Sequence, residues 1–156
     1  MNVLVVTVRR AELDSSIAQA LIAALNAELA GLYPEPGATH FRLDPDEVAE
    51  GRGAFVVASL GDTPIGCGAV RLLDETTAEL KRMYVAPNGR GNGIGHQLVV
   101  ALETEARTLG ARRLLLETGP RQSAALALYA RSGFVVVPAY GEYVGAPASI
   151  CMAKSL

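Results

Sequence analysis

The sequence is short of the residues that build metal centres and disulfide frameworks. Its 156 residues include no tryptophan, two histidines and two cysteines. Cys67 and Cys151 lie far apart and form no Cys-x-x-Cys motif, and neither histidine has the spacing of a metal ligand, so we expect no bound metal. The sequence allows either a disulfide between the two cysteines or two buried free thiols, and it favours the free thiols of a reducing cytosol.

Long hydrophobic runs are also absent. No apolar stretch approaches the roughly 20 residues that a membrane-spanning helix requires. Residues 3–8 are apolar, but this run is too short for a secretory signal, and its arginines follow it instead of preceding it. The formal net charge of −2 gives no general attraction to nucleic acid or to anionic membranes. We therefore expect a cytoplasmic protein that binds neither nucleic acid nor membrane.

Apolar residues, in contrast, are plentiful. They make up 50% of the chain and charged residues 19%, which excludes a disordered protein and suits a sheet that is covered on both faces. A chain of this length favours a single domain over residues 1–156, large enough to bury a core without disulfides or metals.

Hydrophobic periodicity predicts an α/β (α+β) fold. The predicted helices run from a cap at Asp14 to about residue 30, before Gly31; from the glycine turn at 90–95 to Gly110; and from a cap at Ser123 to Gly133. A short helix is predicted at 46–50, and strands at 2–8, 54–60, 64–73, 78–85, 113–118, 134–137 and 148–153. This order predicts a mixed, mostly antiparallel sheet of six to seven strands with helices on both faces, and a fifth strand parallel to the fourth.

The turn after the fourth predicted strand, Arg90-Gly91-Asn92-Gly93-Ile94-Gly95, is the most informative stretch. Its alternating glycines allow positive φ and let a ligand approach the backbone N–H groups closely. The helix that follows presents its positive dipole end, so the turn predicts an anion cradle, most naturally for phosphate. A Walker P-loop would need lysine and a hydroxyl residue where His96 and Gln97 stand, and a dinucleotide fingerprint would need glycine at His96.

This turn resembles the coenzyme A loop of the GCN5-related N-acetyltransferases, the GNAT family, whose pattern is Arg or Gln, two residues, Gly, one residue, and Gly or Ala. Arg90, Gly93 and Gly95 fill that pattern. The resemblance continues upstream through Glu79-Leu80-Lys81-Arg82-Met83-Tyr84-Val85-Ala86-Pro87 and downstream through Ala125-Leu126-Ala127-Leu128-Tyr129-Ala130-Arg131-Ser132-Gly133-Phe134. It implies the family's sheet, with a splay between strands 4 and 5, and acetyl-CoA as co-substrate.

The resemblance also implies which residues hold acetyl-CoA. The backbones of Met83, Tyr84 and Val85 would hold the acetyl and pantetheine portions. The pyrophosphate would lie on the turn and the start of its helix, at Gly91, Asn92, Gly93, Ile94, Gly95 and His96. Arg90 would either pair with a phosphate or lie on the surface. Where the family often has asparagine at the start of the last helix, this chain has Arg121-Gln122-Ser123, which leaves Ser123 as the candidate contact.

Acetyl transfer to an amine needs a path for a proton. Deprotonating a lysine-like amine at pH 7 costs about 4.6 kcal/mol, because its pKa is near 10.4, so a general base is valuable. Glu79 lies where members of the resembled family often place this base and is the first candidate; the alternative is a surface residue paired with Lys81 or Arg82. Glu117, at the end of the fifth strand, is the second candidate, and a structural hydrogen-bonding role is its alternative.

Release of the thiol as a thiolate is a smaller obstacle. It costs roughly 2 kcal/mol at pH 7, because the thiol pKa is near 8.5. The family's Leu-Tyr-x-x-x-Gly-Phe pattern matches Leu128-Tyr129 and Gly133-Phe134. The resemblance therefore implies that the Tyr129 hydroxyl lies near the sulfur and acts as the acid. Packing beneath the cofactor is the alternative role for this ring.

The acceptor is the least defined part of the prediction. Between positions 28 and 50, Arg42 is the only basic residue among the acids Glu28, Glu35, Asp44, Asp46, Glu47 and Glu50. These acids form either a solvated surface or a lure for a cationic amine. The leading hypothesis is an acetyl-CoA-dependent N-acetyltransferase acting by direct attack of a primary amine of a small molecule or peptide. The alternative is a catalytically silent acyl-CoA-binding sensor. His40 has no assigned role. The sequence is compatible both with a monomer and with a homodimer that shares strand 148–153.

Overall fold

The structure, a computed structural model, describes residues 5–35 and 43–156. Within them the strands are β1 (Val6–Arg10), β2 (Gly53–Leu60), β3 (Thr63–Leu72), β4 (Thr77–Val85), β5 (Arg113–Thr118), β6 (Val135–Val137) and β7 (Ile150–Ser155). The helices are α1 (Ser16–Leu32), α2 (Ile94–Thr108) and α3 (Ser123–Arg131), with short 3₁₀ turns at Pro45–Val48, Pro87–Gly89 and Gly141–Tyr143. The order of elements along the chain is the predicted one.

The strands form one seven-stranded sheet in the order β1-β2-β3-β4-β5-β7-β6. β5 runs parallel to β4, whereas the other neighbouring pairs are antiparallel. The predicted parallel pair is therefore confirmed. It is possible because α2 provides the long crossover connection that parallel neighbours need. The predicted class, an α/β (α+β) fold with a mixed and mostly antiparallel sheet, is confirmed as well.

The sheet is buried on both faces, because successive side chains of β2 enter different apolar clusters. Val56 lies in a cluster with Leu98 of α2, and Tyr129 of α3 packs into the same cluster. Phe55 lies on the opposite face, in a cluster with Leu21 of α1. One face is therefore covered by α1 and the other by α2 and α3, as the composition predicted.

Some predicted helix ends were wrong by one or two residues. The N-cap of α1 is Ser15, not Asp14, because the Ser15 Oγ accepts a hydrogen bond from the Ala18 N–H at 3.2 Å. Gly31 does not end α1, which continues through Leu32 before Pro34 prevents further helix. The N-cap of α3 is Gln122, and Ser123 is its first helical residue.

The pairing between β4 and β5 is partial. Only residues 77–80 of β4 pair with residues 113–116 of β5, so the end of β4 leaves its neighbour. In the same region the register between β3 and β4 shifts at Gly68, and Arg82 adopts a positive φ of 58°. Such a bulge bends a strand locally. The resulting gap is the splay that the family resemblance implied. No helix in the described ranges is long and apolar enough to cross a membrane.

Candidate active site

The splay opens into a cleft of about 560 Å³. Its floor is formed by Met83, Tyr84 and Val85 at the end of β4. The glycine turn and the start of α3 form its sides, and α1 contributes Leu25, Glu28 and Leu32. Segments far apart in the sequence therefore meet at one opening, and this opening contains most of the residues that the sequence predicted for cofactor binding.

The glycine turn has the backbone conformation that its sequence predicts. Gly91 and Gly93 have φ of 84° and 75°, and a Cβ added at either would meet no atom within 4 Å. Gly95 differs, because a Cβ there would lie 2.9 Å from Leu128 Cδ2 of α3. The first two glycines thus leave open space in front of the turn, while Gly95 permits the close approach of α3 to α2.

The backbone N–H of Arg90 donates to the Pro87 carbonyl at 3.3 Å, but those of the residues that follow it in the turn have no acceptor among the described residues. Among the described residues, no carbonyl or side chain accepts a hydrogen bond from the N–H groups of residues 91–96. They lie at the N-terminus of α2, whose N-cap is Gly93, so the helix dipole adds partial positive charge there. Unpaired amides, a dipole and an absence of side chains fit the oxygens of a pyrophosphate.

The side chains around the turn have separate roles. Arg90 Nε donates to the Val85 carbonyl at 2.8 Å, and its Nη2 pairs with Glu28 Oε1 at 2.5 Å. Asn92 Nδ2 donates to the Gly89 carbonyl at 3.2 Å, so this side chain supports the turn instead of lining the cleft. Ile94 is buried beneath the turn, whereas His96 is exposed at the cleft.

A smaller cavity of about 80 Å³ lies between β4 and β5. It is lined by polar residues of both strands, including Arg82, Glu117 and Thr118, and by Tyr143. The two cavities are adjacent, since both are lined by Leu25, Met83, Gln122 and Tyr129. A molecule in the small cavity and a molecule in the cleft would therefore both lie beside Tyr129.

Tyr129 lies at this junction in a mostly apolar setting. Its ring packs edge-on against Phe134, with centroids 5.9 Å apart. Burial, and after it the charge of Glu117, raises the pKa of Tyr129 above its usual value. The hydroxyl is therefore protonated at neutral pH, which is the state that a proton donor requires.

Glu79 does not line either cavity within the described residues. It is only 1% exposed, and its Oε1 accepts from Arg71 Nε at 2.8 Å while its Oε2 accepts from the Tyr140 hydroxyl at 2.5 Å. The alternative that sequence reasoning gave, a surface residue paired with Lys81 or Arg82, is wrong. Tyr143 lines the small cavity and packs edge-on against Tyr140, the tyrosine that donates to Glu79, with ring centroids 5.2 Å apart.

The structure adds two polar residues that sequence reasoning did not select. Gln122 lines both cavities, and its Oε1 accepts from the Gly119 N–H at 2.9 Å. Gln122 belongs to the Arg121-Gln122-Ser123 segment, in which the sequence departs from the resembled pattern. Ser123, the predicted contact in this segment, also lines the cleft. Thr118 is buried at the wall of the small cavity, and no motif pointed to it.

Three of the six acids at 28–50 pair with arginines. Glu28 pairs with Arg90, Glu35 with Arg121 and Glu47 with Arg71. These acids therefore link α1 and the following segment to the site, beyond the two roles that the sequence suggested. His40 and Arg42 lie outside the described residues. Both cysteines are free and buried, so the disulfide that the sequence left open is excluded.

Comparison with known proteins places this site in context. A model of the Acetyltransferase (GNAT) family matches residues 17–134. The IAA acetyltransferase of Azospirillum brasilense is 38% identical over 149 residues, which are 95% of this chain and 95% of that protein. A Klebsiella pneumoniae protein of known structure, described as an acyl-CoA N-acyltransferase, is 33% identical, with a TM-score of 0.82 and 97% of both chains covered.

A third protein shares the fold at lower identity. It is a GNAT family acetyltransferase from Elizabethkingia anophelis with acetyl-CoA bound, 20% identical, with a TM-score of 0.68 over 97% of this chain and 98% of that chain. The family match covers most of the sequence, and the Azospirillum and Klebsiella relatives align along nearly all of it. The chain therefore belongs to the GNAT family of acetyltransferases.

Proposed function

We propose that this protein is an N-acetyltransferase that uses acetyl-CoA and transfers the acetyl group to a primary amine of a small molecule or peptide by direct attack. The observation that carries the proposal is the row of amides at residues 91–96, which have no acceptor in residues 5–35 and 43–156 and in front of which Gly91 and Gly93 leave open space. Backbone N–H groups at a helix N-terminus bind phosphate oxygens well. The acetyl-CoA in the related Elizabethkingia structure supports the same assignment.

The end of β4 suits the rest of the cofactor. Residues 81–85 have no ladder partner on β5, so this edge of β4 is open to the amide groups of a pantetheine arm. Met83 and Tyr84 line the cleft at this edge. The Val85 carbonyl accepts from Arg90, which would turn toward a phosphate when a ligand amide takes its place.

When bound, acetyl-CoA supplies an acetyl group activated as a thioester. The amine nitrogen forms a bond to the acetyl carbon as the carbon–sulfur bond breaks, and the products are an amide and a thiol. Tyr129 lies at the junction of the two cavities and donates its proton to the sulfur. Glu117 lines the small cavity and takes the proton of the amine, while Glu79 lines neither cavity in the described part of the chain.

A glycine substitution with a matched control tests the cofactor site. Gly93→Val places a side chain in the open space at the turn and should weaken coenzyme A binding about a hundredfold or more, measured by calorimetry. Gly51→Val is the control, because Gly51 also has positive φ, 80°, and open space around its Cβ position, but it lies outside the cleft. Unchanged affinity in a folded Gly93→Val protein would reject the proposed site.

The acceptor is sought by thiol release from acetyl-CoA across a panel of small amines and short peptides. IAA, which appears in the name of the Azospirillum relative, is included in the panel. Turnover with any amine would exclude the silent-sensor alternative. Coenzyme A binding without turnover on the whole panel would count against transfer to an amine.

A further inference from the structure

The small cavity between β4 and β5 has opposite charges on its two walls. β4 contributes the cations Lys81 and Arg82, and β5 contributes the carboxylate of Glu117. Arg82 is buried, and its guanidinium donates to the amide oxygen of Asn26 in α1. Lys81 and Glu117 are half-buried, so solvent screens their charges less than it would on an open surface. A ligand that carries one charge of each sign would match both walls.

Thr118 adds a hydroxyl that needs a partner. The residue is 4% exposed, and within the described part of the chain its Oγ1 has no hydrogen-bond partner. Buried hydroxyl groups are nearly always bonded, since an unpaired one has lost water without compensation. Thr118 lines the cavity next to Glu117. A nitrogen of a bound ligand would supply the missing partner at this wall.

The remaining walls restrict the size and shape of such a ligand. Leu25 and Leu29 of α1 form an apolar side, and the cavity has a volume of about 80 Å³. It adjoins the cofactor cleft beside Tyr129, which lines both. A matching acceptor is therefore small, presents an apolar group to α1, and reaches the junction with its amine.

We propose that this cavity binds the acceptor as a small zwitterion of the amino-acid type, with its carboxylate at Lys81 and Arg82 and its amine at Glu117 and Thr118. This inference rests on the proposed function, because the amine is the attacking group. The ammonium gives one proton to Glu117, and the neutral nitrogen bonds to the acetyl carbon as the carbon–sulfur bond breaks. The sulfur takes a proton from Tyr129, and the second proton that leaves the nitrogen restores the Tyr129 hydroxyl. The product is an N-acetyl amino acid and a free thiol.

Acceptors that differ only in charge test the cationic wall. Alanine, methionine and leucine are compared with their carboxamides, which keep the amine and the shape but lack the carboxylate. In the wild type, kcat/KM for the acids should exceed that for the amides about tenfold or more, and Lys81→Met should abolish this preference without changing the Kd of coenzyme A. Arg113→Met removes a charge at the exposed, distant end of β5 and should keep the preference.

Thr118→Val tests the other wall, because valine keeps the shape and removes only the hydroxyl. We expect the KM of the acids to rise about threefold to tenfold with the Kd of coenzyme A unchanged. A variant that is more stable than the wild type and keeps its KM would show that the hydroxyl has no ligand, and would overturn its part in the site.

Binding experiments separate this inference from the proposed function. Ligand-observed NMR follows the same amino acids on the protein loaded with coenzyme A. Binding that Lys81→Met weakens about tenfold, without thiol release in any assay, would support the zwitterion site and reject acetyl transfer. Thiol release at equal kcat/KM for acids and amides would support the transferase and overturn the zwitterion site. A protein that neither binds the acids nor prefers them would overturn it too.

Discussion

Glu79 and Glu117 lie on neighbouring strands, but their carboxylates have different surroundings. Glu117 faces the small cavity, and burial together with its charge raises the pKa of the adjacent Tyr129. Glu79 is enclosed, with Arg71 on one oxygen and Tyr140 on the other. Among the described residues Glu79 lines neither cavity, whereas Glu117 lines the small one. We therefore propose Glu117 as the direct base and Glu79 as a residue that positions Arg71 and Tyr140.

Replacing Glu79 with glutamine separates these roles. Glu79→Gln keeps the shape but removes the charge and leaves Arg71 with Glu47 as its carboxylate partner. We expect the free energy of unfolding to fall by about 1–3 kcal/mol, measured by urea denaturation, because the half-buried donors Arg71 and Tyr140 lose a charged acceptor. Turnover should fall less than in Glu117→Gln, and Glu75→Gln at an exposed turn is the control. A larger loss of turnover at unchanged stability would make Glu79 the direct base.

Tyr129→Phe tests the proton donor, since phenylalanine keeps the ring and its packing on Phe134. We expect turnover to fall about tenfold to a hundredfold while coenzyme A affinity and stability stay unchanged. The pKa of Tyr129 is raised, so the hydroxyl stays protonated through pH 9 and should not produce a fall in wild-type activity between pH 7 and 9. Thiol release across this pH range measures both effects. A full rate in Tyr129→Phe would assign the ring to packing.

At the scale of elements, the C-terminal end of α1 is held by both sides of the cleft. Glu28 pairs with Arg90 next to the glycine turn. On the other side, Arg121 Nη1 donates to the Leu32 carbonyl at 2.8 Å, and its guanidinium lies 5.2 Å from the centre of the Tyr33 ring. These contacts join α1 to the turn before α3. The width of the cleft therefore depends on side chains of α1 as well as on the splay of the sheet.

Removing the Arg121 side chain should loosen this end of α1. Arg121→Ala loses the bond to the Leu32 carbonyl, the stacking on Tyr33 and the ion pair with Glu35. Because these contacts are exposed, we expect a small change in global stability but hydrogen exchange several-fold faster in the last turn of α1. Exchange measured by mass spectrometry checks this, with the exposed Arg112→Ala as the control. Unchanged exchange would show that the helix end is held by other contacts.

Local patterns predicted the elements well and the side-chain partners poorly. β5 spans Arg113–Thr118, as predicted, because a short apolar run between turn residues defines a strand without distant information. The cap of α1 was misassigned because Asp14 and Ser15 are both good caps, and only the backbone selects between them. The partners of Glu79 were not predictable in this way, since Tyr140 is 61 residues away. Such contacts arise from tertiary packing, which a periodicity does not encode.

At the scale of the whole molecule, the sheet joins the two apolar clusters into one unit. β2 and β3 contribute to both, with Val70 of β3 on the α2 face and Ala69 on the α1 face. Both clusters pack on the same strands. If one cluster loses its packing, it exposes one face of strands whose other face supports the second cluster. The helices on opposite faces should therefore unfold together and not as separate layers.

A truncation on each face tests this coupling. Leu102→Ala on α2 removes a fully buried side chain, and Leu21→Ala on α1 removes one that is 7% exposed. We expect losses of about 2–5 kcal/mol in the free energy of unfolding, with Leu21 at the lower end. The chain has no tryptophan, so urea curves are recorded by far-ultraviolet circular dichroism and by tyrosine fluorescence. Coincident curves from both probes in both variants would support one cooperative unit. An early transition that only one probe detects in Leu21→Ala would instead show that α1 detaches before the sheet unfolds.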